Sequence, residues 1–127
     1  MQKGKVLVVD DEVDIVKTVT LRLKSRGYEV VAAMDGVQAT NAAFREKPDV
    51  IILDIGMPAG DGHTVARRLS ESPQTFDTPV IFLTARVNEK DYQKAVEEGV
   101  SKYITKPYKP EELLAAVDEL MRRTQRV

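Results

Sequence analysis

The stretch that decides the fold runs D-V-I-I-L-D-I-G-M-P-A-G-D-G, from Asp49 to Gly62. Four apolar residues, Val50 to Leu53, have the length and β-branched character of a strand buried on both faces. The run ends on a carboxylate, Asp54. The following segment holds Gly56, Pro58, Gly60 and Gly62, so it can neither prolong the strand nor begin a helix at once. Asp54 is therefore expected at the carboxyl end of a buried strand, at the mouth of an irregular loop. In an open parallel sheet that is where ligands bind.

The same design recurs on either side. Val6 to Val9 is a short apolar run that ends on Asp10-Asp11-Glu12, and Pro79 opens Val80 to Leu83, which ends on Thr84-Ala85. Tyr28 to Ala33 is a second strand, and Ser101 to Thr105 a weaker fifth that ends on Lys106-Pro107. Helical periodicity fills the gaps. Ile15, Val16, Val19 and Leu23 recur between Val13 and Arg26, and Gly27 suits the C-terminal cap. Val37 to Lys47 follows Asp35-Gly36 and stops before Pro48. Asp61 is expected to cap a helix from about Gly62 to Glu71, with Val65, Ala66 and Leu69 on one face. Ser72 to Thr78 reads as a loop. Asn88 is expected to cap a fourth helix, with Tyr92, Ala95 and Val96 inward and Gly99 as its stop. Pro110 opens a fifth helix with Leu113, Leu114, Val117, Leu120 and Met121 as its stripe.

Strands alternating with helices at this spacing predict an α/β fold, a doubly wound five-stranded parallel sheet covered on both faces. Right-handed crossovers place every strand's carboxyl end on one edge, so that Asp10, Asp11, Asp54, Thr84 and Lys106 share a rim. The length, 127 residues, suits one domain, with its core from about 4 to 123.

Bulk composition narrows the class. Hydrophobic residues make up 43% and charged residues 31%, a globular balance. Nineteen basic residues against twenty acidic ones leave a formal charge of −1, which offers nucleic acid no basic surplus. Cysteine is absent, which excludes disulfides, thiolate chemistry and cysteine metal sites. The apolar run near the N-terminus is too short for a signal peptide or a membrane span, so the expected location is cytoplasmic, without a membrane partner.

Charge then indicates what the rim does. Three carboxylates a few ångströms apart repel by about 1 kcal/mol per pair in water and about 4 at an effective dielectric of 20. Lys106 alone does not offset this. An all-oxygen set of Asp groups, loop carbonyls and water suits Mg²⁺, with Mn²⁺ as the alternative. An aspartate beside such a cation, an amine and a hydroxyl is a plausible nucleophile toward phosphorus. Each residue has a bland explanation by itself: Asp10 and Asp11 as helix caps, Asp54 as a turn residue, Thr84 as a strand residue, Lys106 as a solvated loop residue. Together they would make four polar strand ends a coincidence.

Four blocks, V-L-V-V-D-D-E (6–12), P-D-V-I-I-L-D-I-G-M-P with D-G following (48–62), P-V-I-F-L-T-A (79–85) and Y-I-T-K-P-Y (103–108), resemble the receiver domain of the two-component response-regulator family, over essentially the whole chain. The likeness extends to chemotaxis-type single-domain receivers. It implies a flavodoxin-like (βα)5 fold with strand order 2-1-3-4-5. It makes Asp54 the phosphoacceptor, Asp11 a direct Mg²⁺ ligand, Asp10 a partner acting partly through water, and the Gly56 backbone carbonyl a further ligand. It implies that Thr84 bonds the phosphoryl group, that Lys106 pairs with it, that Tyr103 is the aromatic switch, and that the Lys106–Pro107 peptide is cis. The donor would be a histidine kinase, a phosphotransfer protein or a small phosphodonor. The readout would pass to a downstream protein target or an effector domain through the face formed by the fourth helix, fifth strand and fifth helix. A phosphorylation-linked homodimer through that face stays open, and no separate turnover substrate is expected.

Some positions depart from the family's pattern. Gly60, with Gly56 and Gly62, is expected to loosen the loop after the third strand. Thr40 and Asn41 make the second helix less apolar, Gly56 and Arg86 line the approach to the phosphoryl, and Ser101-Lys102 changes the charge of the partner face. His63, the single histidine, is expected to be exposed. Arg122, Arg123 and Arg126 are explained by the dipole at the end of the last helix. Three rivals remain. A small aspartyl phosphatase lacks its D-x-D spacing and a cap over the substrate. A flavin binder of flavodoxin type would set Asp10 and Asp11 against a phosphate. A phosphorylation-independent interaction module would have no use for the intact set of acids, hydroxyl and amine.

Overall fold

A computed structural model describes residues 3–57, 62–85 and 88–124. The order of elements is β1 (Lys5–Val9), α1 (Val13–Ser25), β2 (Glu29–Ala33), α2 (Gly36–Glu46), β3 (Val50–Leu53), α3 (Gly62–Glu71), β4 (Val80–Thr84), α4 (Glu89–Glu97), β5 (Lys102–Thr105) and α5 (Pro110–Thr124). The strands form one parallel sheet in the order β2-β1-β3-β4-β5.

Period-two alternation along the buried strands sends neighbouring side chains into two different cores. Val6, Val8, Val50, Ile52, Ile81 and Leu83 meet Val19 and Leu23 of α1 and Leu113, Val117, Leu120 and Met121 of α5. Leu7, Val9, Ile51, Leu53 and Phe82 face the opposite way, onto Ala39, Ala42 and Ala43 of α2, Val65, Ala66 and Leu69 of α3, and Ala95 of α4. This double burial is why β1, β3 and β4 read as unbroken apolar runs. α2 presents alanines to the sheet, and its Thr40 hydroxyl is satisfied by the Gly36 carbonyl at 2.9 Å.

The helix boundaries follow local chemistry. The Asn88 amide oxygen accepts from Asp91 N–H at 2.8 Å, so Asn88 caps as expected, and the Asp35 carboxylate caps α2 by accepting from Gln38 N–H at 2.8 Å. α1 and α4 stop where Gly27 and Gly99 take positive φ, 92° and 76°. The expected cap Asp61, the loop residue Gly60, and Arg86 and Arg126 lie outside the described residues.

One expected face holds only at Ala95. α4 buries Asp91 and Ala95, while Tyr92 and Val96 are 55% and 62% exposed. The inward face is rotated by one residue because Asp91 meets a buried partner from α3, and that pulls a polar side chain inward in place of an aromatic one.

Candidate functional site

The rim is assembled by ladder bonds that run one residue past each strand. Asp54 N–H donates to the Val9 carbonyl at 3.0 Å, and Asp10 N–H donates to the Ala33 carbonyl at 3.2 Å. Lys106 N–H donates to the Thr84 carbonyl at 2.8 Å, which ties the end of β5 to the end of β4. The Lys106–Pro107 peptide is cis. The main chain therefore fixes where each side chain starts.

The side chains converge. Lys106 Nζ lies 2.8 Å from Asp10 Oδ2, 3.4 Å from Asp54 Oδ2 and 3.4 Å from Glu12 Oε1. Asp10 Oδ1 accepts the Glu12 N–H at 2.9 Å, and Asp54 Oδ1 accepts the Gly56 N–H at 3.0 Å. Each of these bonds fixes a carboxylate through a local turn. Asp10 and Asp54 are buried, whereas Asp11 and Glu12 are exposed on the solvent side. Thr84 is buried at the same edge. Tyr103 sits in β5 beside the rim, half-buried, with its ring 6.0 Å from Phe82 and 5.7 Å from Tyr92.

Electrostatics make the cluster tense. Burial pushes the Asp10 carboxyl above its ordinary value; the Lys106 ammonium and the Glu12 N–H oppose this, while the Asp54 charge adds to it. Burial by itself would lower Lys106. The hydrogen bond to Asp10 and the charges of Asp10, Asp54 and Glu12 together outweigh it, and the ammonium sits above its ordinary value. Oxygen atoms of Asp10, Asp11, Glu12 and Asp54 all lie within 4.8 Å of one another. Four carboxylates around one ammonium form a hard, anionic, all-oxygen donor set, which fits a divalent cation of the Mg²⁺ class. Glu12 was not among the ligands expected from the sequence. Its place directly after the aspartate pair was the available signal.

Two expectations need correction. Gly62 does not loosen its loop. It starts α3 against the end of β3, where a Cβ would come 2.5 Å from the Asp54 carbonyl oxygen and 2.5 Å from Ile55 Cα. The glycine permits close approach of two backbones. His63 is buried rather than exposed, at 6%. Its Nδ1 lies 2.6 Å from Glu98 Oε1 and its Nε2 3.0 Å from Asp91 Oδ1, which compensates for removing the ring from water. On the partner face, Lys102 pairs with Glu119, which also takes Arg123 at 3.6 Å, so the positive charge there is partly offset within the fold.

With this geometry in view, the comparisons with known proteins agree. The chain matches the response regulator receiver domain over residues 6–118 and belongs to that family, a class of signalling domains that turn over no separate substrate. It is 39% identical to the DNA-binding dual master transcriptional regulator RpaA of Synechocystis, over 97% of this chain and 51% of that protein. It is 40% identical to the alkaline phosphatase synthesis transcriptional regulatory protein PhoP of Bacillus subtilis, over 95% of this chain and 50% of that one. The chain thus spans about half the length of these curated relatives. The solved chemotaxis protein CheY4 of Vibrio cholerae superposes with a TM-score of 0.87 at 33% identity, covering 92% of this chain and 98% of that one.

Proposed function

We propose that residues 4–123 act as one receiver unit in which Asp54 accepts a phosphoryl group from a phosphohistidine donor. The observation that carries this is the placement of the buried Asp54 carboxylate at a strand end, with Lys106 Nζ 3.4 Å from its Oδ2 and the other rim acids within 4.8 Å. A carboxylate oxygen of Asp54 attacks phosphorus, an acyl phosphate bond forms, the P–N bond breaks, and its electron pair returns to the donor's imidazole. Asp11, Asp54 and the Gly56 carbonyl would hold Mg²⁺ or Mn²⁺, with Asp10 contributing partly through water. When bound, the cation neutralises charge on the transferring oxygens.

Lys106 then exchanges its bond to Asp10 for one to the phosphoryl group, and the Thr84 hydroxyl supplies a second donor. Tyr103, already packed between Phe82 and Tyr92, turns inward as Thr84 moves. The altered α4-β5-α5 face is what a downstream protein target, an effector domain or a second copy of the chain would bind. By linkage, such a partner favours the phosphorylated conformation. Action in the cytoplasm, alongside a histidine kinase or phosphotransfer protein, is the setting this chemistry requires.

Mass spectrometry after incubation with acetyl phosphate and Mg²⁺, and in parallel with a phosphorylated histidine donor, tests the proposal. One phosphoryl adduct is expected, absent from Asp54→Asn and from samples with chelator. No adduct from either donor would leave the phosphorylation-independent interaction module in its place.

A further inference from the structure

The most unusual buried group outside the rim is His63. The ring bridges two helices, since it belongs to the first turn of α3 while Asp91 and Glu98 belong to α4 and its C-terminal cap. A neutral imidazole carries one N–H. With a carboxylate oxygen 2.6 Å from Nδ1 and another 3.0 Å from Nε2, a neutral ring would set a nitrogen lone pair against a carboxylate. Both contacts are attractive only if the three groups hold one proton more than a neutral ring and two carboxylates. An imidazolium, with an N–H on each ring nitrogen, satisfies both contacts at once.

We propose that His63, as an imidazolium, is a proton-dependent tie between α3 and α4, and that loss of its proton releases α4. From α4, Asp91 and Glu98 face the ring, and Lys94 between them is exposed. From β4 comes Phe82, whose ring stands edge-on at 5.4 Å and carries no charge. Along α3, Arg67 is 62% exposed and pairs with Glu71 at 3.8 Å. Asp91 also holds the start of α4, because Asn88 Nδ2 donates to its Oδ2 at 2.8 Å while Asn88 Oδ1 caps its N–H. Releasing Asp91 from the ring therefore loosens the first turn, and releasing Glu98 loosens the last. A deprotonated ring keeps one N–H and retains at most one of the two bonds.

The tie operates in the unphosphorylated protein, so its test does not depend on whether Asp54 accepts a phosphoryl group. His63 is the only histidine in the chain, which makes its ring nitrogens directly identifiable by ¹⁵N NMR. Ring protonation and hydrogen-exchange protection of the α4 amides are measured over one pH series without phosphodonor. Protection factors in α4 are expected to fall at least threefold as the ring loses its second proton, with the same midpoint, while those of α1 stay level. In His63→Gln, which keeps an N–H donor but cannot take a second proton, that pH step should vanish. A ring that keeps one protonation state across the folded range overturns the proposal. So does α4 protection that does not follow the ring, or a step that persists in His63→Gln.

Discussion

Lys106 is bonded to Asp10, at 2.8 Å, more closely than to Asp54, at 3.4 Å. The amine is thus anchored to one buried acid and held beside the other. Removing the amine should expose the repulsion it moderates. Lys106→Met is expected to lower the unfolding free energy by about 1–3 kcal/mol without divalent cation, because buried carboxylates lose a charged partner. Mg²⁺ should recover part of the loss. Urea denaturation with and without Mg²⁺ checks both outcomes.

The raised Asp10 carboxyl gives a signed pH effect. The folded protein holds this proton more tightly than the unfolded chain does. Its contribution to stability therefore falls as pH rises from the ordinary value of 3.8 through the higher folded one, and the cost is fully present above that. Asp10→Asn removes the titration. The stability of the variant relative to the parent should improve as pH rises from the ordinary carboxyl value through the raised folded one, and a flat difference would refute the assignment.

Gly62→Ala tests the packing of α3 on the end of β3. A methyl 2.5 Å from two backbone atoms, the Asp54 carbonyl oxygen and Ile55 Cα, forces the elements apart. A loss of about 1–3 kcal/mol is expected. Since the strain falls on Asp54, the proposed phosphoacceptor, phosphorylation by acetyl phosphate should slow as well. Thermal denaturation and adduct formation are the two measurements.

A second anchor lies far from the rim. Tyr28, buried just before β2, donates its hydroxyl to Asp118, whose other oxygen takes Arg26 at 2.6 Å, so the turn between α1 and β2 is tied to α5. Burial, the hydrogen bond and the Asp118 charge hold the phenol well above its ordinary range. Tyr28→Phe is expected to cost about 1.5 kcal/mol in chemical denaturation, the scale of a hydrogen bond to a charged acceptor. Phosphorylation of Asp54 should be unaffected.

The rim was legible because its logic is local. A buried parallel strand must be apolar throughout, so a run such as Val50 to Leu53 that stops on Asp54 marks both the strand and its end. The cap at Asn88 was legible for the same reason, since it bonds a donor three residues ahead. The face of α4 was not, because its rotation depends on His63, 28 residues before Asp91 in the chain. His63 itself gave a faint signal. It precedes Ala66 by three positions and so shares the buried stripe of Val65, Ala66 and Leu69, which argued against exposure. Glu12 reached the acidic cluster through a backbone turn closed by its own N–H on Asp10, a geometry that composition does not encode.

The sheet register has a consequence for how such a molecule changes over generations. Val9 is paired with Leu53, Leu53 with Phe82, and Thr84 with Thr105, so the rim groups inherit their positions from main-chain pairings set deep in the interior. Exposed positions on the helices, Leu21, Val37, Tyr92 and Val96 among them, take no part in those pairings. A lineage can therefore rewrite its outer surfaces and re-address its signal to a new listener while the apparatus that receives the signal stays as it was.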